Sequence, residues 1–288
     1  MSDAPAAATD EWVPSPLERE RAAYRQRATR RSILIAAAAS LVAVVAVALT
    51  LTSSPGWPAF RETFFNVDKA IDSLPAVLSG LWMNIRIMLV CAVAIGIIAL
   101  TMAILRTLRG PVFFPLRALA TAYVDIFRGL PLLLLLFLLG FGMPALRLAG
   151  LPNSALFWGG LAITLSYSAY VAEVFRAGIE SIHPSQWAAA RSLGLSYGKT
   201  LRYVVLPQAI RRVTPALMND IVSLQKDSGL VAVLGIVDAI RAAQIETSLD
   251  YNYTPYVVAG VLFLLLTIPM ARFTDWLARR QGLHGGMR

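Results

Sequence analysis

The sequence predicts an all-α integral membrane protein of about six transmembrane helices, and three observations carry that prediction. First, 57% of the 288 residues are hydrophobic and only 15% are charged, with a mean hydropathy of +0.62, far more apolar than a soluble domain of this size. Second, the apolar residues come in uncharged runs long enough to cross a bilayer as helices, and no alternating strand pattern interrupts them. Helices satisfy their backbone groups within each segment, which the hydrocarbon core demands. Third, the net charge of +9 is concentrated at the ends of the apolar runs, as the positive-inside rule produces. A nucleic-acid surface would gather it into one stripe, so no nucleic-acid partner is expected.

Residues 1–32 form a basic N-terminal arm, with Arg21, Arg25, Arg27, Arg30 and Arg31 crowding the first apolar run. Residues 33–52 carry no charge and read as a transmembrane helix. A signal peptide shares a basic flank and an apolar stretch, but this run is longer than a signal core and its small-residue site is poorly defined, which favours a retained anchor. Residues 53–76 hold Pro55, Pro58 and charges of both signs, and are expected to be an external connector with room for an interfacial helix.

After Pro75 a helix is expected whose uncharged core is Ile87 to Leu105, ending inside at Arg106 and Arg109. Pro115 to about Gly140 would run outward, and Ala155 to about Ile182 would return. The polar stretch 183–207 would then lie inside. Gln208 to about Ile236 would cross outward with Asp220, Lys226 and Asp227 in its middle, and an outer connector would hold Asp238, Glu246 and Asp250. Tyr256 to Ala271 would cross inward, flanked by Arg272, Arg279 and Arg280, leaving 281–288 as a cytoplasmic tail. The outer connectors hold few basic residues (Arg61, Lys69, Arg147, Arg241), which places both termini inside.

The stretch HPSQWAAARSLGLSYGKTLRYVVLP, residues 183–207, reads as an elbow at the membrane surface. A short helix over Gln186 to Leu193 would end at Gly194, where a left-handed residue costs no Cβ clash. Ser196 would cap a second helix running to about Val205, and Pro207 would stop it. Gln186, Arg191, Ser192 and Lys199 would be exposed, with Trp187 and Leu193 as apolar docking anchors. Gly194, Gly198, Lys199 and Thr200 are one residue short of a phosphate-binding loop, and helix formers precede them where that loop needs a strand, so nucleotide binding is not expected here.

No nucleophile, base and orienter set emerges, so an enzyme is not expected. Cys91 is the single cysteine, and His183 and His284 lie far apart, which leaves no metal-ligand spacing and no disulfide within the chain. Charge inside the spans stands out instead, at about 2.5–3.5 kcal/mol per residue. Asp125 with Arg128, and Glu173 with Arg176, have the i,i+3 spacing of helical ion pairs. Lys226 and Asp227 are neighbours that point in different directions. Together with Asn219, these residues are either structural bridges near the inner interface or the lining of a translocation path.

The elbow resembles the cytoplasmic loop of bacterial ABC importer permeases, whose pattern is E-A-A, three residues, G, nine residues, I-x-L-P. Ala188, Ala189, Ala190, Gly194, Val204, Leu206 and Pro207 meet that spacing. Ala188 replaces the family's glutamate and Val204 its isoleucine; the first removes a charge from the ATPase contact. AYVDIFRGLPLLLLLFLLGFG from Ala122, SAYVAEVFRAGIESI from Ser168 and LPQAIRRVTPALMNDIVSLQKDSGLVAVLGI from Leu206 are similar to the polar amino-acid uptake branch, histidine/glutamine permease-like.

The resemblance implies a five-helix ABC importer permease core over residues 77–280, preceded by one extra N-terminal helix, in a bacterial cytoplasmic membrane. It implies that Trp187, Ala188, Ala189, Ala190, Gly194, Leu206 and Pro207 dock an ABC ATP-binding subunit. ATP and Mg would be held by that subunit, with no cofactor on this chain. The other implied partners are a second permease, either a copy or a relative, an extracytoplasmic solute-binding protein and an amino-acid substrate. The alternative is an ion-coupled secondary amino-acid carrier, for which intramembrane charges and broken helices would also be expected. This sequence shows no clear inverted repeat, and such a carrier has no need of the elbow.

Overall fold

The computed structural model describes residues 15–280, so the tail at 281–288, with His284, and the first 14 residues of the arm lie outside the described residues. Two units are distinguished, residues 1–61 and 62–288.

The first unit is dominated by α1 (Pro16–Thr52). Its start is written in the sequence: Ser15 Oγ accepts from the Glu18 amide at 3.3 Å, Glu18 Oε2 accepts in return from the Ser15 amide at 2.9 Å, and Pro16 occupies the first helical position. The arm is therefore helical from Pro16, continuous with the uncharged run 33–52 and exposed along its length. After a turn at Ser53–Gly56, α2 (Trp57–Phe64) begins in the connector, where an interfacial helix had room.

In the second unit α3 (Val67–Thr107) starts at Asn66, whose side chain accepts from the Lys69 amide at 3.1 Å. The expected start after Pro75 is corrected: Pro75 lies inside the helix. It forfeits the single bond its N–H would make to the preceding turn, while the Asn66 cap and the burial of Ser73 and Val77 hold the turns on either side.

The expected single span from Pro115 to Gly140 is also corrected. It is two arms, α4 (Phe114–Gly129) and α5 (Leu132–Phe137), the latter continued by a π-helical turn over Leu138–Gly142 and by α6 (Met143–Ala145). The arms meet at 100°. Pro131 forces the break: it pushes Leu130 to extended backbone, φ −95°, ψ 133°, and a helix cannot continue through that conformation.

Helix α7 (Ala155–Glu180) is capped by Ser154 and buries Trp158, Ile163, Ala172 and Phe175 on its inner face. Next come α8 (Pro184–Ser192), α9 (Tyr197–Thr200), a π-helical turn over Leu201–Val205 and α10 (Leu206–Asp227). A 3-10 turn over Ser228–Leu234 ends at Gly235, φ +79°. The expected outer connector folds as α11 (Ala239–Asp250), a helix that the hydropathy pattern does not announce, and α12 (Thr254–Arg280) is the last element among the described residues. Asp238, in the connector, caps α11: it is fully buried, accepts from the Arg241 amide at 2.8 Å and from Asn84 Nδ2 at 3.0 Å, and so pins α11 to α3.

The main core gathers α3, α4, α5, α7 and α10 around Ile95, Ala99, Leu136, Ile163, Ala172 and Val205. A smaller cluster of Val77, Leu81, Ala239, Ala243 and Ala259 forms where α11 packs on α3 and α12. Gly178 lets α7 and α10 approach closely, since a Cβ there would sit 2.6 Å from Val213 Cγ1. Among the described residues, four helices are long and apolar enough to cross a membrane alone, or up to six spans if each bent pair counts as one. Among the described residues there is no strand.

Candidate functional site

The elbow is built from α8, a left-handed turn and α9. His183 Nδ1 accepts from the Ser185 amide at 3.2 Å, and Pro184 opens the helix. At its end Gly194 has φ +77°; its amide donates to the Arg191 carbonyl at 2.9 Å and the Leu195 amide to Ala190 at 3.1 Å. These two bonds are the paired closure that a left-handed residue permits, so the Ala190 and Arg191 carbonyls need no water. Gly194 thus does what its position in the sequence suggests.

Two expectations about the second half fail. Ser196 precedes α9 with extended backbone, but its side chain makes no capping bond. Pro207 does not stop the helix, because it falls in the first turn of α10, immediately after the π-helical turn. The widened turn gives room for its ring, and Gln208 Nε2 bonds the Val204 carbonyl at 2.7 Å. The chain therefore passes from the elbow into α10 without a joint.

Trp187 is the third correction. It is half-buried and stacks on Tyr197, ring centroids 5.2 Å apart, with the Arg109 guanidinium 5.7 Å and 5.6 Å from the two rings. Tyr197 Oη in turn donates to the Thr107 carbonyl at 2.6 Å. Trp187 is a strut that ties the elbow to the end of α3, not an outward anchor. Ala190 and half-buried Leu206 face inward with it. The outward surface consists of Ala188, Ala189, Leu193 at 82% exposure, Gly194 and Pro207, flanked by exposed Gln186, Arg191, Ser192 and Lys199. Arg212 Nη1 reaches back to the Ser181 carbonyl at 2.5 Å, bracing α10 against the end of α7. The elbow is thus continuous with α10, which is in turn bonded to the end of α7.

Those two helices carry Tyr167, Glu173, Arg176, Asn219, Lys226 and Asp227. Glu173 on α7 binds Arg106 of α3, Arg128 of α4 at 3.4 Å and Arg176 at 2.7 Å, and Arg176 also reaches Glu180 at 2.7 Å. One carboxylate therefore joins three helices. The expected Glu173–Arg176 pair forms; the expected Asp125–Arg128 pair does not, since Arg128 turns to Glu173 and lies 5.6 Å over the Tyr170 ring. Asp125 is exposed and has no ion pair among the described residues.

Further along, Tyr167 Oη donates to Asp227 Oδ2 at 2.6 Å. Asn219 and Lys226 lie two turns apart on one exposed face of α10, and among the described residues neither bonds to the residues gathered by Glu173. Lys226 has neither an ion pair nor a hydrogen bond among the described residues, while its neighbour Asp227 turns inward to Tyr167. Arg106 was legible only as the end of an apolar run, not as a partner of Glu173, and neither Tyr167 nor the Gln225–Thr267 bond at 2.6 Å stood out in the sequence. The SYSAY stretch, polar inside an apolar run, was the available signal for Tyr167. No cluster of histidine, cysteine or acidic residues suited to a metal is found among the described residues.

Residues 111–282 match the family of binding-protein-dependent transport system inner membrane components. The arginine transport system permease protein of Bacillus subtilis (strain 168) is 34% identical over 199 residues, covering 69% of this chain and 89% of that one. The probable glutamine ABC transporter permease protein of the same organism is 32% identical over 216 residues, 75% of this chain and 97% of that one. The glutamate transport system permease protein of Corynebacterium glutamicum is 33% identical, covering 68% and 90%. A crystal structure of an amino acid ABC transporter with histidines superposes with a TM-score of 0.66 at 32% identity, covering 73% of this chain and 96% of that chain. On these grounds the chain belongs to the inner membrane component family of binding-protein-dependent transport systems, as an ABC permease.

Proposed function

We propose that this chain is the membrane-spanning permease subunit of an ATP-driven amino-acid importer, that it lines the translocation path, and that its elbow couples the path to a separate ATP-binding subunit. The observation that carries the reading is the continuity of the knuckle at Gly194 with α10, which bears Asn219, Lys226 and Asp227 and is braced to α7. ATP and Mg reside on the partner subunit. Relatives named for arginine, glutamine and glutamate support an amino acid as the solute. The remaining partners are a second permease subunit and an extracytoplasmic solute-binding protein, with both termini of this chain on the cytoplasmic side of a bacterial inner membrane.

The mechanism is alternating access. Closure of the ATP-bound subunits moves the knuckle, and α7 and α10 follow it, opening the path outward; hydrolysis lets them return. The partner must bind one permease state better than the other, because equal contact in both would shift nothing. With Ala188 in place of a glutamate, the grip on this knuckle is steric and apolar, through Ala188, Ala189 and Leu193. On this reading Lys226 meets a solute carboxylate and Asp227 a solute ammonium, with Asp125, Arg128, Glu173 and Arg176 nearer the inner end of the path.

Reconstitution tests this. Proteoliposomes holding the chain, its ATP-binding subunit and its binding protein are expected to take up labelled amino acid only with ATP on the side of that subunit. Uptake by this chain alone, driven by an ion gradient and indifferent to ATP, would instead establish a secondary carrier.

A further inference from the structure

Arg86 has a chemistry that the path does not use. The uncharged stretch from Ile87 to Leu105 is about 28 Å long at the helical rise, close to the thickness of a bilayer's hydrocarbon core. Arg86 and Arg106 therefore stand at its two boundaries. Arg106 is paired with Glu173, but Arg86 is exposed and its one recorded bond is to Met83 Sδ at 3.7 Å, a weak acceptor. No carboxylate pairs with Arg86 among the described residues.

Directly beside it, α3 and α7 enclose an open groove of about 480 Å³. Arg86, Val90, Ala94 and Ile98 recur every fourth residue along its α3 wall, with Phe157 and Gly160 on the α7 wall. From Met83 to Ile98 the groove is about 22 Å long, more than the roughly 15 Å depth of one hydrocarbon leaflet. It has a cation at the boundary end and an apolar channel leading toward the bilayer centre. Gly160 keeps its floor open: a Cβ there would meet only Cys91 Sγ, at 3.8 Å.

We propose that this groove is a phospholipid site, with the lipid phosphate held by the Arg86 guanidinium and one acyl chain lying along Val90, Ala94 and Ile98. The charge complementarity of an unpaired guanidinium with a phosphodiester, and a groove long enough to take an acyl chain through one leaflet, select this occupant over a second protein helix, which would leave the cation unanswered.

The test uses the full chain purified in mild detergent, with lipid retention counted by native mass spectrometry and thermal stability read with added dioleoyl-phosphatidylglycerol. Two variants separate the head from the tail: Arg86→Gln removes the cation, and Ala94→Trp fills the channel. The expected result is about tenfold lower lipid retention in each, with the thermal shift on adding lipid lost, and partial recovery with Arg86→Lys. Lipid retention unchanged from the wild-type chain in both variants would overturn the proposal. So would an equal thermal shift from inorganic phosphate alone, which would mark a free-anion site. Loss of permease–permease association in Ala94→Trp with retention unchanged would assign the groove to a second copy.

Discussion

Replacing Gly194 separates backbone strain from surface chemistry at the elbow. Gly194 sits at φ +77° and a Cβ built there meets no atom within 4 Å, so a side chain is penalised by conformation alone. A left-handed alanine costs about 1–2 kcal/mol, which moves the local equilibrium away from the bend roughly 5- to 30-fold. Asparagine tolerates this region better, and a β-branched valine tolerates it worst. The expected order of coupled uptake is therefore Gly, Asn, Ala, Val, with membrane insertion unchanged throughout and ATP hydrolysis persisting as uptake falls. Gly194→Asp is nearly isosteric with Gly194→Asn, so any further loss in Asp measures the charge it brings to the docking surface. The assay is uptake per ATP hydrolysed in proteoliposomes, alongside co-purification of the ATP-binding subunit. Unchanged uptake and co-purification in Gly194→Val would refute the reasoning.

Trp187→Ala removes the stack on Tyr197 and the seat of Arg109, worth about 0.5–1.5 kcal/mol beyond the buried area; limited proteolysis near Leu193 should accelerate several-fold. Glu173→Gln leaves Arg106, Arg128 and Arg176 without their shared carboxylate, and a loss of roughly 2 kcal/mol is expected for this partly buried site, read by thermal melting. Lys226→Met should abolish uptake while leaving thermal stability equal or higher, because an unpaired charge is removed from a span; a clear fall in stability would show that Lys226 is a structural residue. Gly178→Val forces a side chain against Val213 and should weaken the α7–α10 contact by about 1–3 kcal/mol, seen as reduced expression of folded protein.

The long apolar runs announced α1, α3, α7 and α12, because a charge-free stretch of bilayer length leaves the backbone few alternatives. Prolines were harder to read. Pro131 breaks its helix because Leu130 turns extended, whereas Pro75 and Pro207 do not: one is held by turns packed on both sides, the other by a widened turn before it. Spacing alone could not reveal where each missing donor falls. Helix α11 was hidden because its 12 residues mix polar and apolar types, and its start depends on Asn84, 154 positions from Asp238 in the sequence. Within the elbow, Gly194 was legible from its local role. The inward turn of Trp187 was not, since it depends on Arg109 and Tyr197 arriving from outside α8. Likewise Arg128 passes over Asp125 at i−3 for a carboxylate on another helix.

A motor grip on the knuckle is most directly tested at Leu193, which is 82% exposed beside the Gly194 turn. With Cys91→Ser as background, Leu193→Cys is placed in the complex with the ATP-binding subunit and treated with a short thiol-to-amine cross-linker during turnover. The account predicts a cross-linked permease–ATPase product whose yield changes between the ATP-bound and nucleotide-free states. A transport-active complex in which Leu193→Cys never cross-links to the ATPase, and reacts only with lipid-soluble reagents, would contradict it.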